Sequence, residues 1–241
     1  MPRIVAIAVA LAAALAAAPA EGRTLRGLVY DDANHDGRPT AGEAGIRAVV
    51  AFGSEVFGET DVRGQFVLEV PDRAGIVWVR VPDGFTPGPV WTVADDRRQL
   101  DLGLRRLATP HRGALTFVVA ADTHLAPDQP FKHDLSSVVG AATALEPSPA
   151  FFTILGDITQ KNAAEDFALV DRGLAGLAVP YIPVPGNHDW YDAGEAWFRH
   201  YGPDNYSFDI DRVHFVVWNM ALAPGEIEAY LGPSSHASTA R

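Results

Sequence analysis

Three short blocks, Asp122-Thr123-His124, Gly156-Asp157 and Gly186-Asn187-His188-Asp189, concentrate carboxylate, imidazole and amide oxygen in the second half of the chain. Oxygen and imidazole donors without thiolate suit divalent ions such as Mn, Fe, Zn or Co. The chain has no cysteine, which excludes thiolate-held metals, disulfide scaffolds and cysteine nucleophiles together. A single Asp-x-His or Gly-Asp says little, because an acidic turn residue commonly caps the helix after it. Three such blocks, each directly after an apolar run, point to one site.

Those runs are residues 114–121, 151–155 and 180–184, each with the length and β-branched content of a buried parallel strand. Between the first two, Phe131, Leu135, Val138, Val139, Ala142 and Leu145 recur at the spacing of one buried helix face. Asn162 with Glu165 resembles a capping box, and Phe167, Val170, Leu174 and Leu177 continue a second helix. Strand and helix alternate, which predicts α/β architecture with right-handed crossovers and a mainly parallel sheet. All three blocks then fall at the carboxyl ends of strands, where open α/β sheets bind ligands. Trp190, Tyr191, Trp197, Phe198 and Tyr201 either pack a short helix or line a wall facing the substrate.

Residues 24–107 read differently. Short alternating runs such as Gln65 to Val70 and Gly75 to Val81 are divided by turn residues, without an amphipathic helix, and predict a small antiparallel all-β sandwich. Residues 84–99 read as a long surface loop, 100–107 as a last strand, and 108–113 as a linker to a second domain, 114–241. Asp32, Asn34, Asp36 and Glu43, with Gly37 at the sharp turn, fit a calcium loop in which alternate oxygens converge on one ion. An Asp/Asn/Gly-rich turn without an ion fits the same residues. The preceding strand resembles the entry into the calcium-binding B-type repeats of bacterial surface proteins, and a bound ion there would rigidify the loop.

Residues 1–20 have the form of a signal peptide: Arg3, an apolar stretch from Ile4 to Ala18, and the small-x-small triplet Ala18-Pro19-Ala20. The stretch is shorter than the ~20 residues of a bilayer-spanning helix. The expectation is export to a periplasm or the cell exterior, with no membrane span after cleavage. A net charge of −11, from 19 basic and 30 acidic residues, speaks against a nucleic-acid or anionic-lipid partner. His35, His111, His133 and His200 receive no role.

The ordered blocks, embedded as VVAADTH, TILGDITQ and YIPVPGNHDWY, resemble the calcineurin-like metallophosphoesterase superfamily over residues 114–231. A signal peptide and a β-sandwich ahead of that segment are similar to exported bacterial members with an accessory domain. The resemblance implies a metallophosphoesterase-like αββα core, a small phosphoester substrate and two divalent transition metals. By position, Asp122 and His124 would ligate the first metal, Asp157 would bridge both, and Asn187 would ligate the second. His188 would sit beside the phosphate, stabilising charge or protonating the leaving oxygen, with Asp189 orienting it. Residues 206–217 resemble the family's next hairpin and add strands rather than ligands.

The sequence departs from the family pattern after His188. Members supply a further histidine and a Gly-His-x-His block, whereas this chain offers His200, His214 and His236 outside any such context. The expectation is an incomplete core, from a fragment, an early stop or a frameshift, and weak or no activity. A non-catalytic exported metal-binding or cell-surface module is the alternative, and a structural protein with vestigial motifs is a third.

Overall fold

In the computed structural model the described residues are 22–97, 99–109, 111, 113–129 and 135–220. The signal-peptide segment, Phe131, His133 and the tail with His236 lie outside them. Among the described residues the first half forms strands and no helix: β1 (Gly22–Asp31), β2 (Val49–Phe52), β3 (Val56–Glu59), β4 (Gln65–Pro71), β5 (Gly75–Val79), β6 (Val90–Ala94) and β7 (Gln99–Leu104). They form two sheets, β4-β1-β7 and β3-β2-β5-β6. In β4 the side chains alternate strictly, with Phe66, Leu68 and Val70 buried and their neighbours exposed, as a half-solvated sheet requires. One pairing corrects the all-antiparallel expectation, since β1 and β7 run parallel. A parallel neighbour needs a long crossover, and the chain between β1 and β7 supplies it by passing through the other sheet.

The second half follows the α/β alternation. Strands β8 (Val118–Ala120), β9 (Phe152–Leu155) and β10 (Tyr181–Val184) form a parallel sheet ordered β10-β9-β8. Helices α1 (Leu135–Thr143) and α2 (Ala164–Leu174) connect them, and α3 (Glu195–His200) follows. Leu135, Val139, Phe167, Val170 and Trp197 bury against Phe152 and Ile154 on one face of this sheet. The opposite face meets an antiparallel hairpin, β11 (Tyr206–Ile210) and β12 (Val213–Val217).

The expected capping box at α2 is absent. The N-cap is Ala163, without a side-chain cap bond. Asn162 instead adopts a left-handed conformation (φ 57°) and donates from its amide to Asp192 at 2.6 Å. That interaction holds its side chain away from the helix N-terminus.

The two halves share one core. Leu25, Val77, Val79, Val81 and Leu102 belong to the same buried cluster as Phe151, Ile182, Phe208 and Ile210. Beyond β5 the chain continues to Val81, which forms a parallel bridge with Phe208 and accepts a bond from the Asp209 amide at 2.8 Å. Beside it, Nε and Nη2 of Arg80 donate to one oxygen of Asp209 at 3.0 and 2.7 Å, and Nδ1 of His214 lies 2.7 Å from the other. The all-β region therefore completes the apolar packing of the hairpin that backs the α/β sheet.

Candidate metal centre

Strands β8, β9 and β10 each end in a loop that carries one of the three blocks, and the backbone ties these loops together. The amides of Asp122, His124 and Leu125 donate to the carbonyls of Gly156, Asp157 and Ile158 at 3.2, 2.8 and 3.0 Å. The Thr123 hydroxyl donates to the Ile158 carbonyl at 2.9 Å. Gly156 N–H meets the Val184 carbonyl at 3.1 Å. Among the described residues, three of the seven positive-φ positions other than glycine are Asp122 (52°), His124 (45°) and Asp157 (48°). Such backbone persists only where its surroundings over-determine it, and it clusters at functional sites. Here it turns side chains from two strand ends toward one point.

Nε2 of His124 lies 3.7 Å from a carboxylate oxygen of Asp122 and 3.7 Å from one of Asp157. That separation is too long for a hydrogen bond. It suits donors that share one ion at about 2.1 Å from each. Among the described residues, His124, Asp157 and His188 are the group of His, Asp or Glu side chains with donor atoms within 4.8 Å of one another. The other imidazole nitrogen of His124, Nδ1, is buried and has no hydrogen-bond partner, so nothing in the protein competes by binding the ring elsewhere. Asp122 and Asn187 are exposed and line the same cavity, of about 730 Å³, as Asp157 and Gly186. The donor set therefore fits a divalent cation.

The glycine of the third block has a steric reason. Its backbone is extended (φ −117°), which any residue could adopt. A Cβ there would lie 2.2 Å from both the amide nitrogen and Oδ1 of Asp157. Only glycine lets the β10 loop approach close enough for the His188 amide to donate to Asp157 Oδ1 at 2.9 Å.

Asp189 does not orient His188. One of its oxygens accepts the amides of Ile158 and Gly186, both at 3.0 Å, and the other accepts the amide and hydroxyl of Thr159 at 2.8 and 2.7 Å. It is fully buried and brackets the β9 loop to the β10 loop. Burial pushes its carboxyl above the ordinary aspartate range, against the bonds from Thr159, Ile158 and Gly186 that favour the charged form. His188 finds other partners. Its Nδ1 lies 2.8 Å from the Gln160 carbonyl oxygen and 2.9 Å from the Tyr191 hydroxyl.

Residues 115–232 match the family model for calcineurin-like phosphoesterases. This part of the chain belongs to that family. A comparison with curated proteins finds none that matches the chain. The calcineurin-like family consists of metal-dependent phosphoester hydrolases, and the His-Asp-His group occupies the strand ends where the three blocks lie.

The later histidines do not reach this centre among the described residues. His200 pairs with Asp171 at 3.0 Å, and His214 faces Asp209 on the hairpin. The aromatic set divides. Trp197 and Tyr201 are core residues, Trp190 packs edge-on against Phe198 at 5.2 Å, and Tyr191 stands exposed beside His188. Gln160 acts through its backbone and leaves no signature in the sequence. Tyr191 follows His188 by three residues, a spacing that could have singled it out from the other aromatics.

In the loop of residues 32–43, Asn34 Oδ1 accepts the Asp36 amide, Asp36 Oδ1 accepts the Arg38 amide, and both oxygens of Glu43 accept amides, from Ala33 and Thr40. The Gly37 amide points at Asp32 from 3.3 Å. The carboxylates of Asp32, Asp36 and Glu43 do not gather within 4.8 Å of one another. The calcium donors are present, and their oxygens serve the loop's own backbone. Among the described residues no helix is long and apolar enough to cross a membrane.

Proposed function

We propose that this chain is an exported, metal-dependent hydrolase of small phosphomonoesters or phosphodiesters. The observation that carries the reading is His124 Nε2 standing 3.7 Å from carboxylates on two different strand ends, with Asn187 and His188 on the third. Asp122, His124 and Asp157 would hold one divalent ion, and Asp157 with Asn187 a second, drawn from Mn, Fe, Zn or Co. When bound, such ions supply Lewis acidity toward the phosphoryl oxygens and a nucleophilic water at neutral pH. The protein's own residues do the rest. The His188 amide and Asp189 hold the Asp157 and Asn187 loops in register, and the His188 ring delivers a proton from Nε2 to the leaving oxygen. Among the described residues only two donors serve the second ion, so its affinity should be lower and turnover weak. Export rests on the signal-like residues 1–20.

The test supplies the chain with Mn or Zn and measures hydrolysis of p-nitrophenyl phosphate and bis-p-nitrophenyl phosphate, beside Asp157→Ala. Metal-dependent turnover that is absent in the variant is the expected result, and the ratio of the two substrates assigns monoester or diester preference. Metal binding without turnover of either would favour the non-catalytic module.

A further inference from the structure

The reaction assigned to His188 needs a ring that cannot rotate and a proton at a defined nitrogen, and Asp189 supplies neither because both its oxygens serve backbone amides and Thr159. We propose that Tyr191 is the positioning residue for His188: its hydroxyl and the Gln160 carbonyl clamp Nδ1, which fixes the proton there and leaves Nε2 as the working atom. The inference rests on the phosphoesterase reading and names a residue outside the three ligand-bearing blocks.

The carbonyl decides the tautomer. A backbone oxygen only accepts, so at 2.8 Å it requires a proton on Nδ1. The Tyr191 oxygen, at 2.9 Å from the same nitrogen, is then a second acceptor for that proton. Gln160 Nε2 stands farther off, at 3.5 Å. Two acceptors on one N–H define the ring plane as well as the proton, which a single bond does not. The rings of His188 and Tyr191 are 5.1 Å apart, and His188 meets His124 edge to face at 4.5 Å. Nδ1–H stays shared between the two oxygens while Nε2 passes its proton to the leaving oxygen. No other tautomer is visited.

Tyr191 is 61% exposed, so Tyr191→Phe deletes the hydroxyl without opening the core. Protonation of the leaving oxygen matters little for p-nitrophenolate and greatly for an alkoxide. In the metal-loaded chain, Tyr191→Phe should lower kcat for an alkyl phosphoester about tenfold or more and for the p-nitrophenyl ester by about twofold, with KM and the thermal midpoint unchanged. In the metal-free chain, 15N spectra of histidine-labelled protein, assigned with His188→Gln, should show Nδ1 of His188 protonated in the wild type. In Tyr191→Phe the Gln160 carbonyl still keeps the proton on Nδ1, so the Nδ1 resonance should shift with the loss of its second acceptor while Nε2 stays unprotonated. Equal losses on both esters, an unchanged 15N pattern, or a wild-type ring protonated at Nε2 would each overturn the proposal. If the wild type hydrolyses neither ester, the phosphoesterase reading fails while the 15N comparison still decides the role of Tyr191.

Discussion

Gly186→Ala removes no functional group and should still dismantle the centre. The glycine backbone is extended, so alanine meets no conformational penalty there and any effect must come from space. The added Cβ would lie 2.2 Å from the Asp157 amide nitrogen and Oδ1 and 3.0 Å from its Cγ, where ordinary contact begins at 3.4 Å. The β9 and β10 loops must therefore separate by roughly 1 Å, and the obstacle includes backbone, which cannot swing aside. Overpacking of this kind costs about 1–3 kcal/mol, less than the ~5–15 kcal/mol that holds a domain folded. The variant should fold. The displaced residue is Asp157, whose other oxygen faces His124, so the centre would lose the carboxylate proposed to hold both ions. Metal affinity should fall at least about tenfold, or ~1.4 kcal/mol, and turnover on the order of a hundredfold. Competitive titration with Mn or Zn, beside a circular-dichroism melt, reads both quantities. Gly140→Ala is the control, because a Cβ there meets nothing within 4 Å. Wild-type metal affinity in a folded Gly186→Ala chain would refute the placement of Asp157 at the centre.

Asp209 should give the protein an acid-sensitive joint. Burial alone would raise its carboxyl, but the hydrogen bonds from His214 and Arg80 overcome this and hold it below the ordinary aspartate value. Its stabilisation is therefore complete above the unfolded value of about 4 and is lost as pH falls through the lower folded value. In urea titrations across pH, Asp209→Asn should cost about 3 kcal/mol at pH 7 and flatten the acid limb; an unchanged limb would place that sensitivity elsewhere. Removing residues 22–107 should leave Phe151, Ile182, Phe208 and Ile210 without their cover, so the remaining chain should be insoluble or lack a cooperative melt. A soluble, cooperatively folding 114–241 fragment would show that the shared core is dispensable.

Much of the centre was legible because short parallel strands read as unbroken apolar runs, even though Phe117, Val119 and Leu155 stand exposed on one face, and the residues after such runs fall at one edge of the sheet. Asp122, His124, Asp157 and Asn187 were placed that way. What escaped the sequence depends on backbone atoms and on distant segments. The Gln160 carbonyl that meets His188 has no residue-type signal. Asp189 was expected to serve its chain neighbour, yet it bonds to amides around residue 158, which lie beside it only after β9 and β10 have paired. Asn162 had the residue type of a cap and was drawn away by Asp192. The linker at 108–113 separates two textures of sequence, and alternating strands give no hint that Val79 and Val81 would share a core with Phe208. The parallel pairing of β1 with β7 was equally hidden, since alternation fixes which face is buried and not which way a neighbour runs.

The most direct measurement is the stoichiometry and affinity of Mn or Zn binding to the metal-free chain by calorimetry, wild type against Asp157→Ala. The proposed ligand assignment predicts one tighter site and one weaker site in the wild type, with both lost or weakened at least about tenfold when the Asp157 carboxylate is removed. Binding that is absent from the wild type, or that survives unchanged in Asp157→Ala, would contradict the assignment of this cluster as a metal centre.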